Sequence, residues 1–310
     1  MRIYDARGAV EKISEETAVT LGVFDGVHLG HKNLIRQLAA YNEGLAPVAI
    51  TLTAHPSFVL GRRESEYWLD DKEEHVRLLF EAGAKYVAVL PFGREVSEMT
   101  ACELARWMYD ELKMRSLLVG YDSRFGSKER DDFGDLTFLS IELGFTLQRG
   151  QPFLVDGEPI SSSRIRQTLL DGAVENTAAM LGRAYSLSGA VVRGRGVGRE
   201  LGFPTANIDL VRTRKMLPAQ GVYAVREKQT GCLGVANLGA APTFDVEKTL
   251  LEVHLIDYAG DLYGREVEVE FLHRLRDIRQ FDSGKELKRQ IQQDRERVIG
   301  YGLMTNRGNG

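Results

Sequence analysis

From about residue 17 the chain alternates short, continuously apolar runs with stretches whose apolar positions recur every three or four residues. Residues 17–24, 47–52, 86–90 and 116–119 are runs of the first kind, which predicts strands buried on both faces. Amphipathic stretches lie between them. Thr100 with Glu103 forms a capping box that predicts a helix over 103–112, and Asp71 with Glu74 marks a second helix start ahead of Val76, Leu79 and Phe80. This strand-helix alternation predicts an α/β domain with a parallel sheet, whose ligands bind beyond the carboxyl ends of the strands.

After about residue 183 the rhythm changes. Strand-like runs at 187–192, 221–225, 233–237, 251–256 and 267–271 follow one another across glycine-rich turns, predicting an antiparallel barrel or sandwich. Ser283 and Glu286 then cap a last helix with Leu287, Ile291 and Val298 on one face, and the tail from Thr305 is expected to fray. The expected division is 1–183 and 184–310.

Composition changes this picture in two places. Hydrophobic residues at 43% and charged residues at 27% fit an ordinary folded chain of 310 residues, but 32 glycines against 8 prolines is an excess of glycine alone. Such an excess belongs at turns that reject a Cβ. A net charge of -4 argues against a surface for nucleic acid, while leaving small phosphorylated ligands open. Cys102 and Cys232, far apart, assemble neither a disulfide framework nor a CxxC zinc site, and no membrane helix or targeting segment is read, so a cytoplasmic protein is expected.

The first glycine cluster, Gly22-Val-Phe24-Asp-Gly26-Val-His28-Leu-Gly30-His31, joins a strand to a helix beginning near Lys32. Two histidines beside a helix N-terminus suit a polyphosphate, with a metal site or a plain structural turn as alternatives. The run resembles the HxGH motif of nucleotidylyltransferases, and in full it resembles the FMN adenylyltransferase half of bacterial bifunctional riboflavin kinase/FAD synthetases. Thr51-Leu-Thr-Ala-His55-Pro56, Gly120-Tyr-Asp122-Ser-Arg-Phe-Gly126 and Ile160-Ser-Ser162-Ser163-Arg-Ile-Arg166 resemble the family's further segments, in order. Ala54 and Ser123 depart from the usual proline and phenylalanine, and Ser163 keeps the usual threonine's hydroxyl.

That resemblance implies a Rossmann-like nucleotidylyltransferase domain. In it His28 and His31 act on the ATP phosphates, Gly22, Phe24, Gly30, Ser162, Ser163 and Arg166 bind ATP or phosphate, and His55, Pro56 and Asp122 bind flavin. Taken alone, the serine triplet is an ordinary helix cap.

The second glycine cluster spans Arg193-Gly194-Arg195-Gly196-Val-Gly198-Arg199 and fits neither a Walker A loop nor GxGxxG. By composition it either wraps an anion or is a solvated basic hairpin. Gly198-Arg-Glu-Leu-Gly-Phe-Pro-Thr205-Ala-Asn207 resembles the GRxLGFPTAN motif of riboflavin kinases, and the likeness continues through Gly234-Val-Ala-Asn-Leu-Gly, Pro242-Thr-Phe244 and Leu251-Glu252-Val-His254. It implies a small β barrel in which Gly198, Thr205 and Asn207 bind ATP phosphate, Thr205 and Asn207 hold Mg²⁺, and Glu252 is the catalytic base. Glu252 alone reads as a strand carboxylate paired with a neighbour. Ile278 stands where many members carry glutamate.

The implied whole is an enzyme that phosphorylates riboflavin to FMN and adenylylates FMN to FAD, consuming Mg-ATP in both steps. Alternatives are a monofunctional member and a flavin-binding protein without turnover. Oligomeric state is not read from the sequence.

Overall fold

In the computed structural model, residues 1–54, 67–123, 132–194, 196–211, 213–241 and 248–307 are described. They form two compact units, Met1–Ser162 and Ser163–Gly310. The first contains β1 (Arg2–Asp5), β2 (Gly8–Val10), β3 (Thr17–Leu21), α1 (Leu29–Tyr41), β4 (Ala46–Leu52), α2 (Lys72–Glu81), β5 (Tyr86–Leu90), α3 (Arg94–Glu98), α4 (Ala101–Glu111), β6 (Met114–Val119), α5 (Asp132–Leu143), β7 (Thr146–Arg149) and the small hairpin β8 (Leu154–Val155) and β9 (Glu158–Pro159).

The seven-stranded sheet runs β2-β1-β5-β4-β3-β6-β7, parallel from β5 to β7 and antiparallel at β1 and β2. Both faces are covered. Val48 and Ile50 of β4 enter the core shared with α4 and α5, while Ala49 enters the one shared with α1 and α2. Such double burial makes the strands continuously apolar in sequence. Because β4 and β6 flank β3 on opposite sides, the chain order reverses there, and the loops after β3 and β6 leave at that switch point.

The second unit begins at Ser163, just inside α6 (Ser162–Leu170), and continues with α7 (Val174–Leu181), β10 (Tyr185–Val192), α8 (Val197–Glu200), β11 (Ala206–Ile208), β12 (Gly221–Glu227), β13 (Leu233–Ala241), β14 (Lys248–Leu255), β15 (Glu266–Arg276) and α9 (Gly284–Arg307). Its six strands close into an antiparallel barrel, β10-β11-β14-β13-β12-β15. Irregularities between β12 and β15, at Val222/Tyr223 and Ala224/Val225, supply curvature needed for closure. The helix α7 packs on β15, and α9 packs on β13 with Val298 fully buried.

Several element bounds differ from those expected. The first strand ends at Leu21 rather than at 24, because the backbone turns left-handed at Phe24 (φ 52°). Helix α1 starts at Leu29, ahead of Lys32, because His28 caps it. The final helix continues to Arg307, so helix persists into the tail expected to fray.

Candidate active sites

The loop from Gly22 to His28 joins β3 to α1 through three left-handed residues, Phe24 (φ 52°), Gly26 (φ 79°) and Val27 (φ 35°). Glycine accepts this conformation readily, whereas a phenylalanine and a β-branched valine are held in it only by their surroundings. The surroundings supply a clasp. Asp25, buried, accepts the Leu69 N–H at 2.8 Å, and Asp70 returns the contact by accepting the Gly26 N–H at 3.0 Å. The Thr51 hydroxyl at the end of β4 donates to the Val23 carbonyl at 3.1 Å. From the start of α6, the Ser162 hydroxyl donates to the Asp25 carbonyl at 3.0 Å.

At the mouth of α1 the two histidine rings stack, with centroids 3.5 Å apart and planes 19° apart, and Phe24 meets His31 edge-on at 5.2 Å. His28 Nδ1 accepts the backbone N–H of His31 at 3.3 Å, which leaves Nε2 of the neutral ring as the protonated nitrogen. Burial, then the proximity of His28 and His75, hold the His31 pKa well below that of a free imidazole; a hydrogen bond to the Phe24 backbone opposes this only in part. Its buried Nδ1 makes no hydrogen bond. Gly30 lets α1 pass close to the His28 ring: a Cβ on it would lie 3.1 Å from that ring, so the imidazole would have to give by a few tenths of an ångström.

These observations place Gly22, Phe24, His28, Gly30, His31 and Ser162 together. Asp122, exposed in the loop after β6, has Tyr121 beside it; burial, then the Asp122 charge and hydrogen bond, push the tyrosine pKa up. Ser163 and Arg166 follow Ser162 on α6. His55 and Pro56 lie outside the described residues, as do Arg195 and Pro242 to Phe244.

In the barrel, Thr205, Asn207 and Glu252 line one cavity of about 610 Å³. Strand register explains how. Asn207 of β11 stands opposite Glu252 of β14, which on its other side stands opposite Asn237 of β13, so the three side chains share one face of three adjacent strands. Glu268 and Glu270 on β15 pair with Lys228 and Arg226 at 2.8 and 3.5 Å; Glu252 has no such pair among the described residues. The expectation of a neighbour-paired strand carboxylate therefore fits those glutamates and not Glu252.

Two glycines of the cluster lie against this face with no room for a side chain. A Cβ on Gly194 would lie 2.1 Å from Asn207 Nδ2, and one on Gly198 would lie 2.4 Å from the Phe203 carbonyl oxygen and 3.2 Å from Thr205 Oγ1. His254 pins the same segment: its Nδ1 lies 2.9 Å from the Pro204 carbonyl and its ring meets Phe203 edge-on at 5.4 Å. The rest of the cavity is largely apolar, with Val222, Val235 and Leu250 from the barrel and Leu287 and Ile291 from α9. Arg276, also on the cavity wall, pairs with the wholly buried Asp294 of α9 at 2.8 Å.

Sequence reasoning did not single out Asn237, His254 or Arg276. Asn237 lay within a quoted motif, and its period-two match to Glu252 becomes visible only once β13 and β14 are paired. Ile278 also lines the cavity, with 43% of its surface exposed.

For a cation, the available groups are the hydroxyl of Thr205, the amide of Asn207 and the carboxylate of Glu252. No cluster of three or more His, Cys, Asp or Glu suited to a metal occurs among the described residues. This donor set fits a hard ion that keeps water and phosphate oxygens in its shell, and does not fit zinc.

Comparison with known proteins agrees with both halves. Residues 10–164 match the FAD synthetase family model and residues 181–301 the riboflavin kinase model. The bifunctional riboflavin kinase/FMN adenylyltransferase of Haemophilus influenzae is 35% identical over 296 residues, covering 94% of this chain and 96% of its own length. The protein of the same description from Escherichia coli K12 is 36% identical over 286 residues, covering 90% of this chain and 91% of its own. Among solved structures, one described as a macrolide-efflux protein from Streptococcus pneumoniae superposes with a TM-score of 0.83 at 31% identity, covering 93% of this chain and 95% of that one. No described helix of the present chain is long and apolar enough to cross a membrane.

Proposed function

The chain belongs to the bifunctional riboflavin kinase/FMN adenylyltransferase family, making FMN from riboflavin and FAD from FMN, and on that premise we propose how its residues divide the work. Kinase chemistry falls to residues 184–310 and adenylyl transfer to 1–183, a division supported by the ranges that the two family models match.

In the kinase half Glu252 is the general base. The 5′-hydroxyl of riboflavin is a weak nucleophile, and the carboxylate takes its proton as the oxygen attacks the γ-phosphorus of ATP and ADP leaves. Thr205 and Asn207, with Gly198 beside them, hold the ATP phosphates, and the same two side chains would hold Mg²⁺, which supplies charge neutralisation at the transferring phosphoryl group. The apolar walls of the cavity suit a flat aromatic ring system, and shielding them from water keeps the reacting hydroxyl from competing with solvent.

The adenylyl half needs no base, because the FMN phosphate is already ionised at neutral pH. Its oxygen attacks the α-phosphorus of ATP and pyrophosphate leaves, so alignment and charge stabilisation supply the rate. The Nε2–H of His28 donates to the phosphate charge. His31 steadies the same group, and Gly22, Phe24 and Gly30 shape its seat. Ser162 and Ser163 bind phosphate from the first turn of α6 and Arg166 from the second. His55, Pro56 and Asp122 contact the flavin.

The observation carrying this reading is the register that sets Glu252 between Asn207 and Asn237 on a cavity wall. Purified protein given riboflavin and Mg-ATP is expected to yield FMN and then FAD by chromatography; flavin binding with no ATP consumed would overturn it. The substrates are small molecules, the net charge of -4 argues against an extended surface for nucleic acid, and two cysteines that form no disulfide are consistent with a cytoplasmic location.

A further inference from the structure

Behind the nucleotide loop, and outside the residues assigned so far, lies a buried polar chain. His75 of α2 places Nδ1 2.9 Å from Asp70 Oδ2 and Nε2 2.8 Å from the Thr51 hydroxyl. Thr51 has one hydroxyl hydrogen, and it goes to the Val23 carbonyl. With that hydrogen on Val23 the oxygen only accepts from the imidazole, and Nε2 then carries a proton. An ionised Asp70 carboxylate also only accepts, taking Nδ1–H of His75 together with Gly26 N–H, so Nδ1 carries a proton too. In that arrangement both ring nitrogens donate.

We propose that His75 is a positioning residue of the adenylyl-transfer site, a buried imidazolium that through Thr51 and Asp70 grips the loop at Val23 and at Gly26. The two gripped positions bracket Phe24, and the second directly precedes Val27, the loop's other left-handed residue with a side chain. A neutral ring has one donor. It either releases Asp70 or accepts from Thr51, and in the second case Thr51 lets go of Val23. Either loss frees a backbone whose strained conformation sets where His28 and His31 stand.

The charges around the ring agree with this assignment. Burial alone lowers the His75 pKa, but the charge and hydrogen bond of Asp70, then the charges of Asp25 across the loop and Glu74 on α2, leave it raised above a free imidazole. His31 faces it from α1, and Trp68 lies edge-on at 6.5 Å. The sign follows. A raised folded pKa means the grip is complete below the free-imidazole value of about 6.5 and is lost as pH rises through the folded value.

The inference rests on the loop being the adenylyl-transfer site. Its test is the pH profile of kcat/KM for FAD formation from added FMN and Mg-ATP by the full chain. The wild type is expected to lose activity on an alkaline limb with an apparent pKa above about 6.5. Thr51→Val is expected to lower the rate about tenfold and to flatten that limb, and Thr51→Ser to restore both, about one hydrogen bond's worth of effect. A Thr51→Val enzyme with wild-type rate and profile overturns the proposal. Should that variant not fold, ring-nitrogen NMR of the wild type decides: an imidazolium persisting above about pH 6.5 supports the assignment, and a ring neutral at that pH overturns it. A His28→Ala, His31→Ala enzyme that still makes FAD would instead remove the underlying site reading, which separates the two failures.

Discussion

Glu252 and Asn207 face each other across the antiparallel pair of β14 and β11, and the carboxylate makes no ion pair among the described residues. A strand carboxylate left without an ion pair beside an amide and a hydroxyl is suited to a proton, a cation or a substrate hydroxyl.

Glu252→Gln keeps shape and hydrogen-bonding capacity while removing the base. FMN formation should fall about 10²- to 10⁴-fold in kcat, the usual range for a positioned general base. FAD formation from added FMN should persist at wild-type rate. Chromatography of the two reactions, run separately on the same preparation, makes the comparison.

Replacing both imidazoles, His28→Ala with His31→Ala, should give the reverse: FMN accumulates from riboflavin and FAD does not appear. Each lost charge-stabilising donor is worth about 10² or more in rate. Loss of the kinase activity in this variant would contradict two independent sites.

Gly194→Ala asks for a Cβ 2.1 Å from Asn207 Nδ2, a distance no real contact reaches, so Asn207 must move. We expect kinase kcat/KM for Mg-ATP to drop at least about tenfold, as misplacement of a positioning group by about 1 Å costs up to 10²-fold. Gly196→Ala, at φ +79° with open space around it, should act through backbone strain instead, lowering stability by about 1 kcal/mol or more. Melting curves beside steady-state kinetics distinguish the two.

Asp294→Ala leaves the Arg276 guanidinium, 12% exposed, without its wholly buried carboxylate. Removing one partner of a buried pair costs about 3–5 kcal/mol. Denaturant unfolding should show a loss of that size, accompanied by weaker riboflavin binding because α9 supplies part of the cavity wall.

Stability should also depend on pH through His31. Its folded pKa lies below the free-imidazole value, so below about pH 6.5 the unfolded chain binds the proton more readily and stability falls as pH falls. His31→Gln removes that contribution. Urea midpoints at about pH 7.5 and 5.5 should converge in the variant relative to wild type; equal pH slopes in both proteins would count against the assignment.

Much of this was legible in the chain itself. The continuous apolar runs announced buried parallel strands because α1 and α2 on one face and α4 and α5 on the other leave no polar side. The capping box at Thr100 and Glu103 is present as expected, since both of its hydrogen bonds are local. The hidden part is long-range. Nothing near His75 in sequence announces that its ring meets Thr51, 24 residues away, or that Asp70 takes an amide from a loop 44 residues earlier. Asn237 was invisible for the same reason, since its meeting with Glu252 is a property of paired strands. The short hairpins at the start of the chain and at β8 and β9 carry too few residues for periodicity to show.

The closure of the barrel has a consequence for how this chain meets other chains. With β10 bonded to both β11 and β15, every strand of the ring has a neighbour on each side, so the barrel has no edge strand for an incoming strand to extend. The parallel sheet does have two margins, but they are β2 with three residues and β7 with four, too short to template much. An enzyme rich in apolar strands is thereby kept from growing by strand addition, and a partner would have to recognise its side-chain surface.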